Sequence, residues 1–164
     1  MSQSPISIDS YLRTYDRLQK AIEGLTDAQL VWKPSEKQWS VTEVLTHLTD
    51  HNIVVSFRIR EVLAGSEVRL PAFNQDFWVE GQRANAGRTS DILAAFQGLL
   101  LYNSLLFQRL TEADWNKTGV NFKGHTVTVA AIAQSFIDHV GHHIGQIERI
   151  IEAETNSRKT IGES

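Results

Sequence analysis

The 164-residue chain contains no cysteine, which removes disulfides, thiolate metal ligands and a cysteine nucleophile together. Any sulfur chemistry must therefore arrive with a substrate. Positive charge is also scarce: 16 Lys and Arg stand against 19 Asp and Glu, for a net charge of −3. No segment gathers the basic contacts that binding a nucleic-acid backbone relies on. Long apolar runs are missing too. The longest, near LLLYNSLLF, is interrupted by Asn103 and Ser104 and falls far short of the roughly 20 residues that span a bilayer. The first residues, MSQSPISIDS, lack the basic-then-apolar order of a secretory signal, so the expected location is the cytoplasm. Nothing calls for a second domain: the length suits one core spanning residues 1–164, with a polar tail from about residue 155 expected to fray.

What the chain does contain is helical periodicity. Ile8, Tyr11, Leu12, Tyr15, Leu18, Ile22 and Leu25 recur at steps of three and four, predicting an amphipathic helix that ends near Gly24. Ser40 followed by Glu43 forms a capping box, opening a second helix from about Val41 to Ala64 with Gly65 closing it. A third helix starts at Ser90, with Ile92, Leu93, Phe96, Leu99, Leu100, Asn103, Leu106 and Leu110 on its core face. A fourth opens at Thr126 or Thr128 and buries Ile132, Phe136, Val140, Ile144, Ile147 and Ile151. The connection from Gly65 to Thr89 is too long for a tight turn and reads as a crossover or as a lid over one end of a pocket. Within it Phe73, Phe77 and Trp78 can pack down, and Asn74 to Gly81 can form a short helix. The four tryptophans lie mostly before or between the helices and read first as structural seals.

Three histidines stand out against this background. His139 and His143 lie four apart on the fourth helix, where residues at that spacing differ by only about 40° and share a face. His47, on the second helix, supplies a third imidazole if the two helices lie side by side, and three ligands leave one metal coordination position open. The ordinary alternative, hydrogen-bonded core histidines, is also consistent with spacing alone. Chemistry of the zinc-protease type is not expected, because Val140 follows His139 where that motif places a glutamate base.

Neighbouring residues have two readings each. His51, four after His47, is a fourth ligand, a partner behind the ligands or a residue of the pocket rim. Asp50 and Asp138 are carboxylates that can fix a ligand's tautomer, or else solvated helix charges. Gln146 either lines the cavity or bonds within the bundle, while His142 is turned away from the pair. Arg58, Arg60, Arg83 and Arg88 are candidate anchors for substrate carboxylates, with solvated surface arginines as the default. No catalytic residue is assigned. A faint internal echo, LTDAQLVW with LTEADW and WSVTEVLTHLTDH with HTVTVAAIAQSFIDH, suggests that the two histidine-bearing helices are approximate copies packed together.

WSVTEVLTHL and HVGHHIGQI resemble the two ligand segments of the DinB-like (DinB/YfiT-like) family of four-helix metal-binding proteins, with His47 in the first and His139 and His143 in the second. The resemblance covers nearly the whole chain. It implies an all-α four-helix bundle, up-down-down-up, with its long connection between helices 2 and 3. It also implies a divalent metal, zinc or nickel foremost, held by the three histidines, a small-molecule substrate and a homodimer. Some members of that superfamily are transferases or isomerases that use a low-molecular-weight thiol such as bacillithiol, mycothiol or glutathione. A divalent cation stabilises a thiolate near neutral pH, and it equally activates water for hydrolysis. Against these enzymatic readings stands a noncatalytic binding or stress-response protein that the metal merely orders.

Overall fold

Helix starts in this chain are written locally, and most of them are capped. The computed structural model describes residues 4–162. Its elements are α1 (Ile8–Ala21), α2 (Asp27–Val31), α3 (Val41–Leu63), α4 (Gln75–Gly81), a 3₁₀ turn at Ala84–Ala86, α5 (Thr89–Phe107), α6 (Glu112–Trp115), β1 (Thr118–Val120), β2 (Thr126–Thr128) and α7 (Val129–Gly162). At the start of α3 the Ser40 side chain accepts from the Glu43 amide while the Glu43 carboxylate accepts from that of Ser40. Such a cap contributes about 1 kcal/mol. The expected end of this helix also holds, with Gly65 at φ 74 just beyond it.

The long helices α1, α3, α5 and α7 form the bundle, with α3 packed on α5 and α7, and α1 packed on the same two. Side-chain pairs fix their directions. Near the start of α1, Tyr11 meets Phe107 at the end of α5 and Phe136 in the first part of α7. Ser40 reaches Asn85 just ahead of α5, and Arg60 near the end of α3 reaches Asn103 late in α5. His47 and His51 of α3 meet His143 and His139 of α7 in reversed order. Thus α1 and α7 point one way, α3 and α5 the other, and the order is up-down-down-up. Two parallel neighbours cannot be joined by a tight turn, which is why the α3–α5 connection is long. Its middle forms α4, capped by Asn74.

Val41 through Leu48 are buried without a break. Core partners cover one side of this turn of α3, and α2, α4 and the 3₁₀ turn cover the other. That double cover places His47 in the interior. The core beneath it includes Leu18, Leu45, Leu48, Phe96, Leu100, Phe136, Val140 and Ile147.

Three features depart from the sequence reading. Thr126 belongs to a strand, and a two-stranded hairpin pairs Thr118 with Thr128 and Val120 with Thr126; α7 begins only after Thr128, whose hydroxyl accepts from the Ala131 amide. Gly119 lets the hairpin close on α3, since a Cβ there would come 2.8 Å from Val62. The second departure is the tail expected to fray from Thr155, which continues α7 as helix to Gly162. Glu154, buried, is held by Arg158 at 2.7 Å and by Gln29 at 3.2 Å, tying the last turns to α2. Thirdly, α5 is long and apolar enough by length and composition to cross a membrane. In the bundle it turns Leu93, Phe96, Leu100 and Phe107 inward and leaves Leu101, Tyr102 and Leu105 more than half exposed.

Candidate metal centre

His47 from the second turn of α3 meets His139 and His143 from the middle of α7. His139 Nε2 lies 3.1 Å from His47 Nε2 and 3.0 Å from His143 Nε2, and one nitrogen from each ring lies within 4.8 Å of the others. His47 and His143 are buried and His139 is partly covered.

Hydrogen bonds among the rings do not account for this convergence. His143 Nδ1 faces the Gln146 carboxamide oxygen at 2.7 Å. An oxygen there requires a proton on Nδ1, which leaves the Nε2 of a neutral ring with its lone pair turned inward. A single proton on His139 Nε2 cannot point at both neighbours, whereas a cation serves all three nitrogens. Tetrahedral coordination with bonds of about 2.0–2.1 Å sets ligand nitrogens about 3.3 Å apart, within a few tenths of an ångström of the two spacings at His139, while all three ligand nitrogens lie within 4.8 Å. An all-imidazole donor set suits a borderline divalent ion.

Electrostatics point the same way. Burial lowers the pKa of His47 to about 3, helped by His143 and His139. Burial likewise brings His139 to about 4, and it depresses His143 against the opposing pull of Gln146. The rings are therefore neutral at pH 7, the form that binds metal.

Other residues expected near the site divide. His51 stands beside the three, its ring centroid 4.4 Å from that of His139, with its pKa lowered by burial to about 3. Its ring also packs on Phe73 and Phe136, and it walls a smaller cavity of about 370 Å³ with Arg58 and Phe122. Gln146 carries the role first considered for carboxylates, since its oxygen fixes the His143 tautomer. Neither aspartate does so. Asp50 is buried but accepts from Gln82 Nε2 at 2.6 Å, and so holds down the connection that follows α4. Asp138 is exposed and accepts from Gln134, a turn earlier, at 3.0 Å. Arg58 donates to the Pro71 carbonyl and Arg60 to Asn103.

Trp39 and Phe73 are site residues that periodicity did not mark. The Trp39 ring lies 5.0 Å from that of His47 and stacks 6.4 Å from that of His143. Phe73 stacks on His47 and His51, with Trp78 edge-on behind it. The long connection therefore covers the histidines on one side, and a cavity of about 560 Å³ opens beside His143.

The sequence model of the DinB superfamily matches residues 10–147. A relative from Oceanobacillus iheyensis, named "Putative metal-dependent hydrolase", is 24% identical over 84% of this chain and 79% of its own length. YfiT of Bacillus subtilis, which bears the same description, is 24% identical over 82% of this chain and 76% of its own. The YfiT structure, described as a probable metal-dependent hydrolase with an unusual four-helix bundle topology, superposes with a TM-score of 0.83 at 21% identity, covering 94% of this chain and 93% of that one. A mycothiol-dependent maleylpyruvate isomerase superposes at 0.66 and 12% identity, covering 92% of this chain and 69% of its own. At these identities the structural likenesses establish the fold.

Proposed function

The chain belongs to the DinB superfamily, and from that premise we propose a metal-dependent enzyme acting on a small molecule, with His47, His139 and His143 as the ligands of one divalent ion. The observation that carries this reading is the approach of His47 Nε2 and His143 Nε2 to His139 Nε2, within 3.1 Å and 3.0 Å, with the His143 lone pair turned inward by Gln146. Zinc or nickel is the expected ion. Once bound, it supplies a Lewis acid that activates a thiol or a water.

The protein's own residues do the rest. Gln146 orients His143, Trp39 and Phe73 exclude water from the ligand rings, and the cavity beside His143 admits the substrate. Two reaction classes fit this site: hydrolysis, as in the names of the relatives, and transfer or isomerisation with a low-molecular-weight thiol, as in the mycothiol-dependent structural neighbour. Because the chain has no cysteine, a thiol would come as a cosubstrate. We place the protein in the cytoplasm as a homodimer. The exposed Leu101, Tyr102 and Leu105 on α5 support that assembly, since such patches on soluble chains mark contact surfaces.

Metal analysis of protein purified without chelator tests the reading. About one divalent ion per chain is expected, falling to near zero in His47→Ala, His139→Ala and His143→Ala. Absence of metal from the parent protein, with no binding of added zinc or nickel, overturns the proposal. Thiols offered with electrophilic acceptors, alongside a panel of esters and amides, then separate transfer from hydrolysis. A metal-loaded protein silent toward both would instead be the noncatalytic, metal-ordered binding protein.

A further inference from the structure

The cavity of about 560 Å³ beside His143 is of ordinary ligand-pocket size. Its lining has a definite polarity. One stripe of α7, His142, Gln146, Arg149 and Ala153, lines it together with Lys37 and Trp39 from the segment before α3 and Asp76 of α4. The inner end is His143 with its partner Gln146. Two exposed cations share this lining, Lys37 and Arg149, neither of which has an ion pair or hydrogen bond among the described residues. The Arg149 side chain runs back along α7, its Nη1 3.5 Å from where a Cβ on Gly145 would stand. One cavity thus brings together the His143 imidazole and two cations without a partner.

The geometry points to a substrate of defined class: a small molecule whose reacting group meets the ion at His143 and which also carries a carboxylate or phosphate held by Arg149 and Lys37. This inference rests on the reading of the three histidines as a metal centre. Arginine is suited to the task because its planar fork binds either oxyanion through two parallel hydrogen bonds. Lys37 adds a mobile second charge. Asp76 lines the same cavity without pairing to either, so it leaves the cations available and disfavours ligands whose negative charge sits near α4. None of the four arginines first considered as anchors lines this cavity: Arg58 and Arg60 are engaged with Pro71 and Asn103, and Arg83 borders a different cavity.

Three thiols of equal length supply the test: 6-mercaptohexanoate, 6-mercaptohexyl phosphate and the uncharged 6-mercaptohexanol. They are titrated into cobalt-loaded protein and followed by sulfur-to-cobalt charge-transfer absorbance. One or both anionic thiols should bind about ten-fold more tightly than the alcohol at low salt, and the stronger of the two identifies the oxyanion. In the Lys37→Gln, Arg149→Gln double variant that preference should vanish while cobalt content and its visible spectrum stay unchanged, because both side chains are exposed and neither is one of the three ligands. Equal affinity for all three thiols, or a preference that survives in the double variant, overturns the inference. Failure to bind cobalt would sink the metal reading instead. The charge preference is then read on the metal-free protein from amide shifts of residues 37–39 and 146–149 with hexanoate, hexyl phosphate and hexanol. Indifference to charge there refutes the anchor independently.

Discussion

Two polar clusters are buried in this bundle, one helical turn apart on α3, and they are built on opposite principles. At the lower one, Tyr11, Asn52, Ser56, Arg60 and Asn103 bond to one another. The Asn103 amide donates to the Tyr11 oxygen at 3.0 Å and to Ser56 Oγ at 2.7 Å, and its oxygen accepts from Arg60 at 2.9 Å. At the upper one, His47, His139 and His143 turn their nitrogens toward each other. Phe136 separates the two, its ring 5.6 Å from Tyr11 on one side and 5.7 Å from His51 on the other. The lower network directs most of its hydrogen-bonding capacity inside the protein, with Asn52 Nδ2 left without a partner, and specifies which helices adjoin. Converging lone pairs leave that capacity directed at something the protein must bind. Buried polarity alone does not distinguish a structural cluster from a functional one; the direction of the lone pairs does.

Substitutions at the two levels should fail in different ways. The largest effect belongs to His143→Ala. Saturating zinc should raise the Tm of the parent protein by roughly 10 °C, since ligand at about a thousand times Kd adds about 4 kcal/mol and each kcal/mol shifts Tm by about 2–4 °C. In the variant, calorimetry should show no zinc-dependent shift. Asn103→Ala should do the reverse. It leaves the Tyr11, Ser56 and Arg60 groups short of partners and should cost about 2–4 kcal/mol in denaturant unfolding, with zinc stoichiometry preserved. A zinc-binding defect there equal to that of His143→Ala would mean that the two clusters are one unit.

Gln146→Ala tests the link between tautomer and ligand. Zinc affinity measured against a competing chelator should fall about 10- to 100-fold, and Gln146→Glu, which keeps an acceptor, should restore much of it. Acid should destabilise the metal-free protein through its upper cluster. Burial holds His47 and His51 at about 3 and His139 at about 4, so between pH 6.5 and 4 the unfolded chain takes up protons that the folded chain refuses. Stability from these groups is complete above pH 6.5 and declines as pH falls through that window. Thermal scans should show this decline, and His47→Ala should flatten it. The smallest effect is expected for Tyr11→Phe. The Tyr11 hydroxyl, whose pKa is pushed up to about 12 chiefly by burial, is one contact among several, and its loss should cost about 1 kcal/mol.

How much of this was legible from the residues follows from the range of each interaction. The capping box at Ser40 and Glu43, the closing Gly65 and the i, i+4 pair on α7 are local, so the chain announces them. The position of His47 opposite that pair needed the family likeness, because periodicity places a residue on a face without naming its neighbour. Asp50 shows the same limit: its helical phase suits a partner for a histidine, but the long connection returns to give it Gln82. Gln146 was visible only as a residue of the GQI segment. The short helices α2 and α6 carry capping boxes at Thr26 with Gln29 and Thr111 with Asp114, yet at five and four residues they are too brief to show a period. Three-residue strands escape for the same reason. The extension of α7 to Gly162 depends on Glu154 meeting Gln29 from the other end of the chain, a contact that local polarity conceals.

X-ray absorption at the metal edge tests the central claim most directly. The zinc- or nickel-loaded protein should show a first shell of nitrogen and oxygen at about 2.0–2.1 Å, with outer-shell scattering that counts three imidazoles, dropping to two in His47→Ala if any ion remains. A shell with one imidazole or none, or a spectrum unchanged by that substitution, would contradict the account.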